Sequence, residues 1–259
     1  MDLMRAHVAL RERPLLDVLD LTVRFCAAHA GAYARLSAAV LVPALAASWA
    51  IARLGGWTLG WAAAVVIGAF ADAPFVALAS RLVFEDTVRA RDALAIAVRA
   101  LPRLILVRGA QLLAIVCSGL LLGLPWLWAG TIMLFTLEVV VLEQARVPPA
   151  LARASRIAKA RFGSAFATML LLLVAPIGAA LVADVAGREV LQGILELKPP
   201  MSVFEAGGSV LALVGWWSAV PLLATARFFV YLDIRTRTEG WDIQTRFAAI
   251  AAAAVEGQP

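Results

Sequence analysis

Long apolar stretches separated by short polar segments are the main pattern along this chain. Each is about 20 residues long, the length that an α-helix needs to cross a hydrocarbon layer of about 30 Å. The qualifying stretches are 34–53, 57–81, 103–123, 125–145, 163–186 and 208–232. They predict an all-α polytopic membrane protein with six transmembrane helices.

Three shorter segments, one before each odd-numbered span, are amphipathic at the helical period. They are residues 17–24, 92–99 and 149–156, with leucine at the third and arginine at the eighth position of each. They are too short and too charged to span, so we expect helices lying at the cytoplasmic membrane surface. Chance similarity among alanine-rich helices is the alternative to a true repeat.

The domain organisation follows from these segments. We expect a single membrane domain, 1–232, and a cytoplasmic tail, 233–259. The membrane domain would contain three units, each a surface helix followed by a two-span hairpin, with approximate bounds 14–84, 85–146 and 147–232.

The segment between the fifth and sixth spans carries apolar residues at helical spacing and ends at Pro199 and Pro200. The apolar residues are Val190, Leu191, Ile194, Leu195 and Leu197. This pattern predicts a short helix on the outer membrane surface. A lid over a binding cavity is the alternative.

Composition and charge support a membrane environment. Hydrophobic residues make up 63% and charged residues 16% of the chain, against about 45–50% and 25% in soluble domains. The net charge of +5 does not indicate nucleic-acid binding, because the basic residues form short clusters between apolar runs. With the N-terminus inside, only Arg53, Arg188 and Lys198 of the 23 basic residues lie outside, so both termini are expected in the cytoplasm. Cys26 and Cys117 lie in apolar stretches, and no disulfide framework is expected.

Ionisable residues inside the spans are the first candidate site. They are Asp72, Arg108, Glu138 and Arg227, each on a different span. Counting about 1.5 Å of rise per residue places all four in the inner half of the membrane. Each needs a partner or water, since a lone charge at the bilayer centre costs about 2.5–3.5 kcal/mol or more. Structural pairing in a neutral network, or snorkelling of the basic residues, is one interpretation; a proton or ion path, or a site for an anionic headgroup, is the other.

Patterns for other chemistry are sparse. His7 and His29 have no metal-ligand neighbours in sequence, and the chain has no nucleophile elbow, phosphate loop or HExxH motif. We therefore expect no enzymatic activity, metal or cofactor. Residues 71–74 and 175–178, each with a proline inside a span, resemble the helix breaks of transporters.

A dense charged pattern at the end of the last span is the second candidate site. It comprises Tyr231, Asp233, Arg235, Arg237, Glu239, Gly240 and Asp242. Asp233 and Arg237 have the spacing of a helical ion pair. Arg235 and Glu239 repeat that spacing, and Gly240 is a natural helix end. We expect this pattern to dock against the surface helices or a cytoplasmic partner.

This pattern resembles the Tyr-Tyr-Asp-Leu-Arg-x-Arg-x-Glu-Gly-x-Asp ending of a large bacterial family of multi-span proteins, which is related to the glycerophosphoryl diester phosphodiesterase membrane domain. Leu232 and Thr238 depart from it. Residues 13–20 resemble the family's N-terminal surface helix, and residues 141–143 with 150–156 resemble its Val-x-Glu…Ala-Leu-x-Arg-Ser segment.

The resemblance implies a six-span bundle in a bacterial cytoplasmic membrane. It also implies gene neighbours such as MoxR-type ATPases and transglutaminase-like proteins, and hence a role in a larger envelope assembly. The soluble phosphodiesterase domain of some relatives is not expected here, because the chain ends soon after the motif.

We interpret the sequence as a non-enzymatic scaffold or subunit of an envelope membrane complex, with membrane lipid and cytoplasmic proteins as its partners. A transporter, channel or lipid-handling protein that uses the intramembrane charges is the alternative. A membrane-embedded enzyme acting on lipid is a third.

Overall fold

The computed structural model describes residues 15–85, 87–119 and 124–238, which are helical throughout apart from short connections. In chain order the helices are α1 (Leu15–Ala28), α2 (Ala30–Gly55), α3 (Trp57–Ala71), α4 (Ala73–Leu82), α5 (Ala90–Gly119), α6 (Leu124–Ile132), α7 (Thr136–Leu142), α8 (Val147–Ala160), α9 (Phe162–Glu189), α10 (Val203–Ala206) and α11 (Val210–Thr238). The described residues contain no β-strand. The expected all-α fold is confirmed for this part of the chain.

Five helical segments in the described part are long and apolar enough to cross a membrane. They are Ala30–Gly55, Trp57–Leu82, Pro125–Leu142, Phe162–Ile194 and Val210–Thr238. The expected span 103–123 belongs to α5, and its residues 120–123 lie outside the described part. The six-span count therefore stays a prediction.

The outward faces of these segments and of α5 are apolar. Val66, Leu113 and Val182 have 61%, 64% and 67% of their surface exposed. Contiguous apolar surface of this kind is unfavourable in water but suits a hydrocarbon environment. The exposed faces thus agree with a membrane location.

Two of the three expected surface helices are separate elements. α1 ends before His29 and α8 ends before Arg161, and both residues leave the helical conformation. These two residues occupy equivalent positions, five residues after the arginine that ends segment 17–24 and segment 149–156. α1 packs through Val18, Thr22 and Phe25, and the ring of Phe25 contacts Phe229 of α11 edge to face at 5.1 Å.

The second expected surface helix is not separate. Residues 92–99 form the first part of α5, a single helix of 30 residues that continues through Pro102. No glycine or N-capping residue lies near Pro102 to end one helix and begin another, and proline alone can bend a helix without ending it. The second unit therefore differs from the first and third, and the threefold repeat stays a prediction.

Two membrane helices are interrupted. Asp72 separates α3 from α4. Pro74 lies in the first turn of α4, where the N–H that proline lacks would have no partner within the helix. Residues 133–135 form a turn between α6 and α7, which the sequence did not predict. The break suggested at 175–178 is absent, since Pro176 lies inside the continuous helix α9.

The outer segment also differs from its prediction. Residues Val190–Ile194 form a π-helical turn that continues α9, instead of a separate helix on the membrane surface. The chain returns through α10 to Gly207, whose positive φ of 74° suits glycine. The buried Asp184 carboxylate accepts hydrogen bonds from the Ser209 hydroxyl and the Val203 N–H. These bonds tie the returning chain to α9.

Close helix packing brings α9 and α11 together. A Cβ atom on Gly215 would lie 2.2 Å from the Ala179 carbonyl oxygen and 2.6 Å from the Ala183 Cβ. Small residues permit such close approach between membrane helices. Further along α11, residues 223–232 are buried, and α1, α2, α4 and α8 pack against this helix; Arg227 and Tyr231 of the two candidate sites lie in this stretch.

Candidate intramembrane charge centre

The structure brings the four intramembrane charges together. We call Asp72, Arg108, Glu138 and Arg227 the charge centre. The Arg227 guanidinium lies in the middle, with Nε 2.5 Å from Glu138 Oε1 and Nη2 2.8 Å from Asp72 Oδ2. Arg108 completes the centre from the other side, with Nη2 3.3 Å from the same Asp72 oxygen. Two acids and two bases from α5, α7, α11 and the α3–α4 junction therefore form one neutral network.

The two helix interruptions are tied into this centre. Arg108 Nε donates to the Ala69 carbonyl at 2.8 Å, just before the interruption at Asp72. Arg108 Nη1 donates to Gln111 Oε1 at 2.9 Å, and Gln111 Nε2 donates to the Met133 carbonyl at 2.8 Å, in the α6–α7 turn. Sequence reasoning missed Gln111, although an amide three residues after a charged residue in an apolar run is a recognisable signal.

Burial makes the centre energetically demanding. The Glu138 side chain is fully buried, that of Arg227 is 8% exposed, and that of Asp72 is 13% exposed. Asp72 Oδ1 and Glu138 Oε2 have no hydrogen-bond partner among the described residues. A buried charge is tolerated when it is paired, and each remaining oxygen can accept a proton or a hydrogen bond.

Two cavities reach the charge centre. One of about 200 Å³ is lined by Asp72 and Arg227, together with Gly68, Pro176 and Trp216. The other, of about 120 Å³, is lined by Arg108, Gln111, Gly130, Met133 and Arg227. Arg227 lines both cavities and Asp72 lines the larger one, whereas Glu138 lines neither.

The C-terminal pattern is engaged within the chain. The Tyr231 hydroxyl donates to Glu143 Oε1 at 2.7 Å, and Arg235 Nη1 lies 3.3 Å from the same oxygen. Arg153 of α8 contacts the other Glu143 oxygen at 2.5 Å. We call Glu143, Arg153, Tyr231 and Arg235 the Glu143 cluster. It joins the end of α11 to α7 and α8.

The other residues of the pattern are placed as follows. Asp233 and Arg237 form the expected ion pair at 3.0 Å, and both are more than four-fifths buried. Glu239, Gly240 and Asp242 lie outside the described residues, so the expected pair of Arg235 with Glu239 stays a prediction. In the part of the pattern that is described, the side chains face their own chain.

Other reactive groups lie apart from the charge centre. Both cysteines are free thiols. Burial raises the pKa of the Cys26 thiol on α1, and hydrogen bonds with Thr225 and Tyr33 oppose this rise. Within residues 15–85, 87–119 and 124–238, no group of three His, Cys, Asp or Glu residues is placed to hold a metal ion.

Comparison with known proteins adds no relative. No protein-family model, curated protein or solved structure matches the chain.

Proposed function

We propose that this protein moves a proton or small ion across a membrane through the charge centre. The observation that carries the proposal is that Arg227 contacts two buried carboxylates and lines two cavities, the larger of which also reaches Asp72. The geometry favours this function over the docking function because Tyr231, Asp233 and Arg235 make their contacts within the chain.

The carboxylates are suited to take up a proton. Each has one oxygen against Arg227 and a second oxygen without a hydrogen-bond partner in the described structure. Protonation at that second oxygen removes the negative charge that holds the guanidinium. Arg227 is then attracted to the other carboxylate. Its release from Asp72 would open the larger cavity to the next proton or ion, because Asp72 lines that cavity. Asp72 and Glu138 would thus alternate as the partner of Arg227.

The interrupted helices support the same proposal. Discontinuous membrane helices with ionisable residues beside the break are typical of transporter sites, because backbone groups at the break can contact the transported species. Here Asp72 lies at the α3–α4 junction, where the backbone keeps helical angles, and Glu138 follows the α6–α7 turn by one helical turn.

Proton flux into liposomes tests the proposal. Full-length protein is reconstituted with an internal pH-sensitive dye, and an acid pulse is applied outside. We expect proton entry above that of empty liposomes, with loss of that excess in Glu138→Gln and Asp72→Asn. Asp20→Asn is the matched control, because Asp20 is an exposed carboxylate on α1. Entry equal to that of empty liposomes, or full entry in both centre variants, would refute the proposal.

A subunit function in a bacterial envelope complex is the second candidate. The supporting observation is a set of exposed basic side chains on the face expected in the cytoplasm. They are Arg24, Arg35, Arg89, Arg91, Arg99, Arg103, Arg146, Arg156, Lys159 and Arg161. Such a face attracts an acidic protein partner by charge complementarity.

A mild-detergent pull-down with mass spectrometry tests the subunit function. A stoichiometric partner should be lost on Arg156→Glu with Lys159→Glu and retained on Arg53→Glu, because Arg53 is exposed at the end expected outside. Charge reversal at Arg235 is a poor test, because it breaks the bond with Glu143 inside the chain. Co-purification that is equal in all variants would refute docking through α8.

We further propose six spans, cytoplasmic termini and membership of the bacterial family that the C-terminal pattern resembles. The excess of basic residues in the expected cytoplasmic segments supports this topology. Reporter fusions after residues 56, 124, 200 and 240 test it. We expect the first three to report the outside and the last the cytoplasm, and any reversed signal would overturn the corresponding span.

A further inference from the structure

A separate cavity lies at the expected cytoplasmic end of the bundle, between α5 and α7. Its volume is about 270 Å³, and its walls are the apolar side chains of Ile96, Ala100, Val140 and Val141. Polar groups line it from Arg99, Arg103 and Gln144. The volume is below the roughly 300–1,000 Å³ of sites for drug-sized ligands, so a small polar group fits it better.

The charge of this cavity is unbalanced. Arg99 and Arg103 are four residues apart on α5 and therefore lie on one helix face. None of the described residues that line the cavity is an aspartate or a glutamate. The Arg99 side chain makes no ion pair or hydrogen bond within the described part of the chain. Two neighbouring guanidinium groups repel each other unless an anion lies between them.

One arginine is held in position by the backbone. Arg103 Nη1 donates to the Gln144 carbonyl at 2.9 Å. Gln144 has a φ of 51°, a left-handed conformation that side-chain-bearing residues adopt infrequently. Arg103 has five N–H donors, so this single bond leaves the others for a ligand.

The cavity is also at the level where α5 enters its apolar part. Ile105 and Leu106, two and three residues after Arg103, are 54% and 63% exposed, and no charged residue lies between Arg103 and Arg108. Arginines at such a boundary lie at the depth of lipid phosphate groups. Arginine also matches phosphate oxygens with paired N–H donors.

We propose that Arg99 and Arg103 bind a phosphate group in this cavity. The apolar walls and the position on α5 favour the phosphate of an anionic lipid headgroup, and a phosphate-bearing solute presents the same chemistry. The site is independent of the charge centre and of its proposed transport function.

Lipid titration of the full-length protein in detergent, followed by native mass spectrometry, tests the site. The probes are dioleoyl phosphatidylglycerol and, for comparison, zwitterionic dioleoyl phosphatidylcholine. Removing two cationic contacts in Arg99→Gln with Arg103→Gln should weaken phosphatidylglycerol binding by about tenfold or more. Arg156→Gln is the control, because Arg156 is an exposed arginine outside the cavity. Phosphatidylglycerol binding by this control variant should change by less than about twofold.

Calorimetric titration with inorganic phosphate separates the two sources. Strong phosphatidylglycerol binding without phosphate binding identifies a lipid headgroup site. Phosphate binding that is lost in the double variant identifies a solute site. Equal phosphatidylglycerol binding in the double variant and the control, with no phosphate binding, would overturn the proposal. The single variant Arg99→Gln leaves the Arg103 bond to Gln144 intact and gives the same test if the double variant is unstable.

Discussion

Replacing Arg227 by methionine tests whether the charge centre holds the helices together. The change leaves Glu138, which is fully buried, without a cation, while Asp72 keeps only the longer contact with Arg108. Removing one partner of a buried ion pair costs about 3–5 kcal/mol. For a chain of this size, roughly 2–4 °C per kcal/mol converts this to a lowering of the unfolding midpoint by about 6–20 °C.

A second substitution separates charge from packing. Arg227→Met combined with Glu138→Met removes both buried charges and keeps apolar side chains in their place. Asp72 and Arg108 remain as a pair. Because a well-packed apolar pair can replace a buried ion pair at little cost, the double variant should regain most of the stability that Arg227→Met loses.

Thermal unfolding in mild detergent, followed by fluorescence-detected size exclusion, measures both effects. Asp20→Asn controls for loss of an exposed carboxylate. It should change the free energy of unfolding by less than about 0.5 kcal/mol. An unchanged midpoint in Arg227→Met would show that the pair contributes nothing. A double variant as unstable as the sum of the two single variants would show that packing, not charge, holds this region.

Three further predictions concern other parts of the structure. Gly215→Ala should destabilise the α9–α11 contact, whereas Gly178→Ala on the same pair of helices should be neutral, because a Cβ there meets nothing within 4 Å; unfolding midpoints compare the two. Tyr231→Phe should cost about 1.5–3 kcal/mol, because it removes a buried hydroxyl donor to the Glu143 carboxylate, and an unchanged midpoint would contradict that bond. Cys26 should react slowly with maleimide at pH 7 and faster as the pH rises, since its raised pKa leaves little thiolate at neutral pH; a rate equal to that of a free thiol at pH 7 would contradict its burial.

The spans were predictable because their cause is local. About 20 apolar residues in a row identify a membrane helix whatever surrounds them, and the expected span 57–81 agrees closely with Trp57–Leu82. The ends of the spans were less predictable from the sequence. The fifth span, expected at 163–186, continues to Ile194, since nothing in that segment stops a helix once α9 has formed.

The sequence predicted that the intramembrane charges pair, but not which residues contact each other. An isolated charge in an apolar span needs a partner, so the expectation of a network followed from four residues alone. That Arg227 would contact both Asp72 and Glu138, and that Gln111 would link Arg108 to a turn at Met133, depends on how the helices are arranged around α11.

The tertiary structure decided which residues the side chains of the C-terminal pattern contact. Its charge spacing predicts a helix with ion pairs on its surface, and the pair of Asp233 with Arg237 follows that rule. The sequence cannot indicate that Glu143, about 90 residues earlier, contacts Tyr231 and Arg235. The surface expected to dock a partner is therefore partly used within the chain.

Local composition thus determined the membrane environment, the helices and the need for buried charges to pair, because each depends on a short window of residues. Contacts between distant windows determined the rest. The α6–α7 turn, the two cavities beside Arg227 and the cavity at Arg99 and Arg103 exist only because separate helices meet. Their geometry depends on packing among helices, and no single segment of the sequence contains that information.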